Sequence, residues 1–130
     1  MECVKKGANE GIITQTEAIL AKIQGAHLSF PFGKDIATYK IEGKIFALLW
    51  RDASIARLNL KAHPQDCCAY REIYPFITPA YHMNKRHWNS IDLSEARAHE
   101  ALLKEMIEES YQLVFSALSR AKREKILARG

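Results

Sequence analysis

Two periods divide this chain between them. In "ATYKI", Ala37, Tyr39 and Ile41 fall on one face and Thr38 and Lys40 on the other. Gly43 supplies a turn. The next segment, "KIFALLW", is apolar on both faces, as a strand near the middle of a sheet should be. A second turn at "RDAS" leads into "ARLNLKA", which alternates again. Ala56, Leu58 and Leu60 point inward there, and Arg57, Asn59 and Lys61 outward. These segments predict an antiparallel meander with one wet face. Further on the period lengthens. Leu103, Met106, Ile107, Ser110, Leu113, Val114 and Ala117 recur at steps of three and four, which predicts a core-facing helix over 94–118, opened by Ser94 and Glu95.

Shorter signals fill in the flanks. "TQTE" fits a capping box with Thr14 as N-cap and Glu17 three residues on, and Gly25 supplies a stop. A helix at 15–24 is expected, with 1–14 as an N-terminal extension. "HLSFPFG" reads as irregular or edge structure because of Pro31 and Gly33. Pro64 opens a helix over 64–73, and Pro75 and Pro79 confine "YPFITPA" to a turn or extended segment. "HWNSIDL" has strand character. The pattern predicts one α+β domain over 15–123, an antiparallel β-sheet with helices packed on one face, followed by a basic tail at 124–130.

Composition changes this picture little. The longest strongly apolar run, "IFALLW", is far too short to span a membrane, and "MECVKKGANEGII" lacks the apolar run of a secretory signal. Three cysteines, two of them adjacent (Cys67 and Cys68), do not make a disulfide framework. A cytoplasmic protein with no membrane association is expected. Charge matters more. The formal net charge is +4, and residues 119–130 carry all of it, with five basic residues and one acid. Within the balanced remainder, 34–93 is basic and 94–118 acidic.

Candidate chemistry is sparse. "YHMNKRHWNSIDL" holds His82 and His87 at a spacing zinc sites use, but no cysteine knuckle accompanies them, so no metal is expected. No phosphate-binding glycine loop and no G-x-S-x-G elbow is present, and neither an enzyme nor a cofactor is expected. Trp50 and Trp88 suit core or rim anchoring, with base stacking the alternative. The basic residues Lys40, Lys44, Arg57, Lys61, Lys85 and Arg86 are the candidate phosphate contacts, provided the outer sheet face gathers them.

The order "FPFG", "YKIEGKIFALL", "LNLKA", "PAYHMNKRHWNSIDL" and "ESYQLV" resembles the MmcQ/YjbR family of small bacterial proteins. The resemblance spans about residues 16–123, and "HMNKRHW" with the Ser110–Tyr111 pair is its most specific part. It implies a CyaY-like α+β fold and a DNA-binding role through a double-wing motif. The wings would fall at Glu42–Lys44 and Arg51–Ser54. Frataxin, a related fold, resembles an iron binder through an acidic first helix; only Glu17 is acidic in the helix expected here, so iron does not carry over. The signature residues His82, Asn84, His87, Trp88, Ser110 and Tyr111 are read as structural. Asn84 and His87 would satisfy backbone groups, Trp88 would anchor the next strand, and Lys85 and Arg86 would project outward. Two functions follow: a non-enzymatic protein contacting double-stranded DNA, or an adaptor that binds a protein or small molecule and has no nucleic-acid role.

Overall fold

The hairpin at Glu42–Gly43 sets the register of the sheet. Both residues have positive φ (46° and 81°), as a two-residue type I′ turn requires. The computed structural model describes residues 2–52, 54–80 and 83–129. Among these, the elements are α1 (Glu2–Ala21), β1 (His27–Ser29), β2 (Ile36–Ile41), β3 (Lys44–Asp52), β4 (Ile55–Lys61), α2 (Pro64–Ile73), β5 (Ile77–Pro79), β6 (Trp88–Asp92), α3 (Leu93–Ala96), α4 (Glu100–Ala117) and α5 (Arg120–Arg129). All strand pairs are antiparallel, in the order β1-β2-β3-β4-β6-β5. The expected meander is β2-β3-β4, and the α+β class holds.

The core lies between the sheet and its helices. Ala37, Tyr39, Phe46, Leu49, Leu58, Leu60 and Ile91 meet Leu103, Met106, Ile107 and Val114 of α4. Phe46 is an extra residue in β3, where the register shifts between Tyr39 and Lys40. The bulge turns its ring inward, edge-on to Tyr111 at 5.6 Å.

Four expectations need correction. The first helix starts at Glu2, so Thr14 caps nothing and residues 2–14 lie within α1. Ile12, Ile13, Thr16 and Leu20 form a buried stripe that carries the helix through Gly11. Helical glycine costs only about 1 kcal/mol, which such burial outweighs. The long C-terminal helix is two: α3 is capped by Asp92, whose carboxylate accepts from Ser94 N–H at 3.0 Å, and α4 starts after His99. The break lets Leu93 and Ala96 bury separately from the α4 stripe. In that stripe Tyr111 is buried and Ala117 exposed. Finally, the basic tail is helical. In α5, Ile126 is fully buried against Gly25, and Gln24 Nε2 donates to the Ile126 carbonyl at 3.2 Å.

Candidate binding face

The sheet's outer face was expected to be wet, and its centre is not. Pairing sets Thr38, Leu48, Asn59, Ser90 and Thr78 side by side across five strands. Thr38, Leu48, Asn59 and Ser90 are all buried. Alternation correctly puts Thr38 and Asn59 opposite the core, but it does not distinguish a polar residue in solvent from one under cover. Thr38 Oγ1, Asn59 Oδ1 and Ser90 Oγ are buried without hydrogen-bond partners among the described residues. Among the described residues, Asn59 Nδ2 has only the Met83 thioether sulfur, at 3.4 Å. Leaving such groups unpaired costs about 1–3 kcal/mol each.

Cations border this row unevenly. Lys40 pairs with Ile45, and Lys61 with Trp88, in the neighbouring register positions. Lys44 follows at the hairpin tip, and exposed Lys85 and Arg86 occupy the corner loop just before β6. Five of the six candidate cations therefore gather at one end of the sheet. Arg57 stands apart, beside Trp50 toward the other end. Both tryptophans are half-buried and lie on the outer face, neither in the core.

The two expected wing tips behave differently. They lie at opposite ends of β3, a strand whose nine residues span roughly 30 Å. At the first tip, Glu42 is largely covered and sits 3.7 Å from Lys125 of α5, which leaves Lys44 as the outward charge. At the second, Arg51 is held by Glu17 at 3.1 Å and lies over the Phe30 ring at 5.1 Å, while Asp52 accepts from Ser54. Ala53 lies outside the described residues. The second tip is thus tied to the body of the protein.

The corner loop is stapled by a residue that sequence reasoning passed over. Arg71 of α2 donates to Asn89 Oδ1 at 2.7 Å, to the Lys85 carbonyl, and to the Trp88 carbonyl at 3.4 Å. Asn84 Oδ1 accepts from Arg86 N–H at 2.9 Å, and its carbonyl accepts from His87 and Trp88 N–H. The His87 carbonyl accepts from Ala62 N–H. His82 lies outside the described residues. Ser110 Oγ donates to the Phe46 carbonyl at 2.6 Å and accepts from Lys61 N–H at 2.8 Å, joining α4 to the bulge. Tyr111 Oη donates to the Gln24 carbonyl at 3.0 Å. These contacts hold the ends of the cation-bearing strands. No signal in the sequence marked Arg71, whose partners are backbone carbonyls and one asparagine far along the chain.

Titratable groups cluster on the helical side instead. Burial raises Glu109, which sits close to Asp66 and accepts from Tyr70 Oη at 3.0 Å. Burial, and then this carboxylate, push the Tyr70 phenol far up. Burial also raises the Cys67 thiol, which donates to the Ala62 carbonyl. Among the described residues, no group of three or more His, Cys, Asp or Glu side chains is placed to hold a metal ion. No helix among them is long and apolar enough to cross a membrane.

Fold and site together define an α+β protein with one antiparallel sheet, helices over its inner face and a buried polar row on its outer face. The chain matches YjbR over residues 21–113, and it belongs to the YjbR family. It is 39% identical over 99 residues to the uncharacterized protein YbdF of Escherichia coli O157:H7, covering 76% of this chain and 80% of that one. Its fold is similar to the crystal structure of Deinococcus radiodurans DR2400, a DUF419 domain, with a TM-score of 0.80, 26% identity, and 88% and 86% of the two chains covered. It is also similar to the crystal structure of a Pseudomonas syringae protein, with a TM-score of 0.65, 26% identity, and 78% and 97% covered.

Proposed function

We propose that this chain is a non-enzymatic, cytoplasmic DNA-binding protein that grips duplex phosphates with one end of its sheet. The supporting observation is the gathering of Lys40, Lys44, Lys61, Lys85 and Arg86 at that end. Two projections stand there side by side, the β2–β3 tip and the corner loop before β6. They take the place of the two hairpin tips at opposite ends of β3. α5 adds little, because much of its charge is used internally: Arg120 pairs with Glu124, Lys125 with Glu42, and Arg123 donates to the Leu118 carbonyl.

The test is fluorescence anisotropy of a labelled duplex across a salt series, comparing the full chain with Lys40→Gln/Lys61→Gln/Arg86→Gln. Affinity should fall in the triple variant and steeply with salt in the wild type. Binding that ignores both would sink the DNA reading. An adaptor role would then be favoured by the exposed edge strand β1, whose Leu28 is 52% exposed and which leads to Phe32 at 58%.

A further inference from the structure

A cleft of about 520 Å³ opens between the two projections. This lies within the roughly 300–1,000 Å³ typical of small-ligand sites. Trp88 forms one wall, Ile45, Val114 and Leu118 an apolar floor, and Lys44 and Lys61 supply positive charge. Met83 also lines it. Behind Met83 lies the buried polar row, because the Asn59 side-chain amide donates to the Met83 sulfur at 3.4 Å. Asn59 Oδ1 and the adjacent Ser90 Oγ are unpartnered there, at 1% and 4% exposure.

Each part of this site selects a different ligand feature. The lysines select an anion, and the indole a flat ring. The Asn59 amide presents one free acceptor, beside a donor held only by a weak thioether acceptor. That pairing matches a base edge with an exocyclic amine next to a ring nitrogen, which adenine and cytosine present, and adenine, which asparagine reads with two hydrogen bonds, offers the indole the wider ring system. Methionine is unbranched and flexible, so Met83 can swing aside to admit such an edge.

We infer that this cleft is an adenine-nucleotide site, with the ring against Trp88, the phosphate on Lys44 and Lys61, and the base edge on Asn59 once Met83 moves. The nucleotide is either free or an unpaired residue of a strand. In the second case the inference rests on the DNA-binding reading above.

The experiment is an NMR titration of the full chain, following the Asn59 side-chain amide and the Trp88 indole N–H. Adenosine monophosphate should shift both signals and bind about tenfold or more tightly than purine riboside monophosphate, which has the same ring system and phosphate but lacks the exocyclic amine. Asn59→Leu should abolish that preference without lowering Tm, since it removes an unpaired buried group. An Asn59→Leu protein that melts lower and binds both nucleotides as before would overturn the inference; so would equal shifts from both nucleotides, or none. Oligonucleotides separate the sources. Tighter binding of a single strand than of the matching duplex, with the Asn59 shift, supports a strand-borne nucleotide. Duplex binding with no response at Asn59 to any probe leaves the DNA reading standing and this one refuted. A response to the mononucleotide without binding of any oligonucleotide does the reverse.

Discussion

Ser110 shows how one hydroxyl can hold a sheet and a helix in register. It bonds two backbone groups beside the β3 bulge, the Phe46 carbonyl and the Lys61 N–H. Ser110→Ala strands both, so chemical denaturation should show a loss of about 2–4 kcal/mol, at 1–3 for each buried unpaired group. Glu109 has a different signature. Its pKa is raised by burial, so the fold favours its protonated form. The stabilisation from that proton is complete below the unfolded-state pKa and disappears as pH rises through the raised folded value. Glu109→Gln keeps a carbonyl for Tyr70 and carries no charge. It should raise Tm at neutral pH, and the gain should shrink toward zero below the ordinary carboxylate range. Melting curves from pH 4 to 8 on both proteins check this. Trp88 is half-buried, so Trp88→Ala should cost less than the ~3–5 kcal/mol of a fully buried tryptophan.

Among the elements, α5 depends most on a single position. Gly25 has φ +81°, and a Cβ placed there would lie 2.8 Å from Ile126 Cγ2. Gly25→Ala therefore strains the turn after α1 and pushes out the side chain that docks α5. Hydrogen exchange should accelerate through 120–129 while β3 and β4 keep their protection. The sequence marked Gly25 as a helix stop and left Ile126 inside a run of basic residues, where one isoleucine in ten residues makes no stripe. The legible elements were those whose pattern is local. The β2–β3–β4 meander could be read from alternation, and α2 from Pro64. The edge strand β5 was legible only as a turn or extended segment, because Pro75 and Pro79 read as breakers, yet an edge strand accommodates proline. The site was legible as a set of cations and not as a place. That Lys61, Trp88 and Lys40 share one end depends on β6 pairing with β4, a contact between segments some thirty residues apart that no local pattern encodes. Asn59 was read as a solvent-facing strand residue because its cover, Met83, comes from a loop twenty-four residues away.

At the scale of the molecule, the net charge misleads and the charge geometry informs. The +4 resides in residues 119–130, but several of those charges have internal partners. The balanced remainder gathers Lys40, Lys44, Lys61, Lys85 and Arg86 at one end of the sheet and carries acidic groups along α4. On the DNA-binding reading, a duplex meets the sheet's densest positive charge at the β2–β3 tip and corner loop. Each phosphate neutralised contributes about 0.9 to the slope of log affinity against log salt. Lys40→Gln/Lys61→Gln/Arg86→Gln should therefore flatten that slope by about 2–3, whatever the sequence of the duplex. Lys34→Gln and Arg51→Gln are the controls, both at the opposite end of the sheet. The first removes an exposed charge and the second one already held by Glu17. Neither should move the slope. If the Arg51 variant flattens it as much as the triple variant does, the far hairpin tip is also in contact. The molecule would then lie along the duplex with its roughly 30 Å sheet, instead of standing on one end.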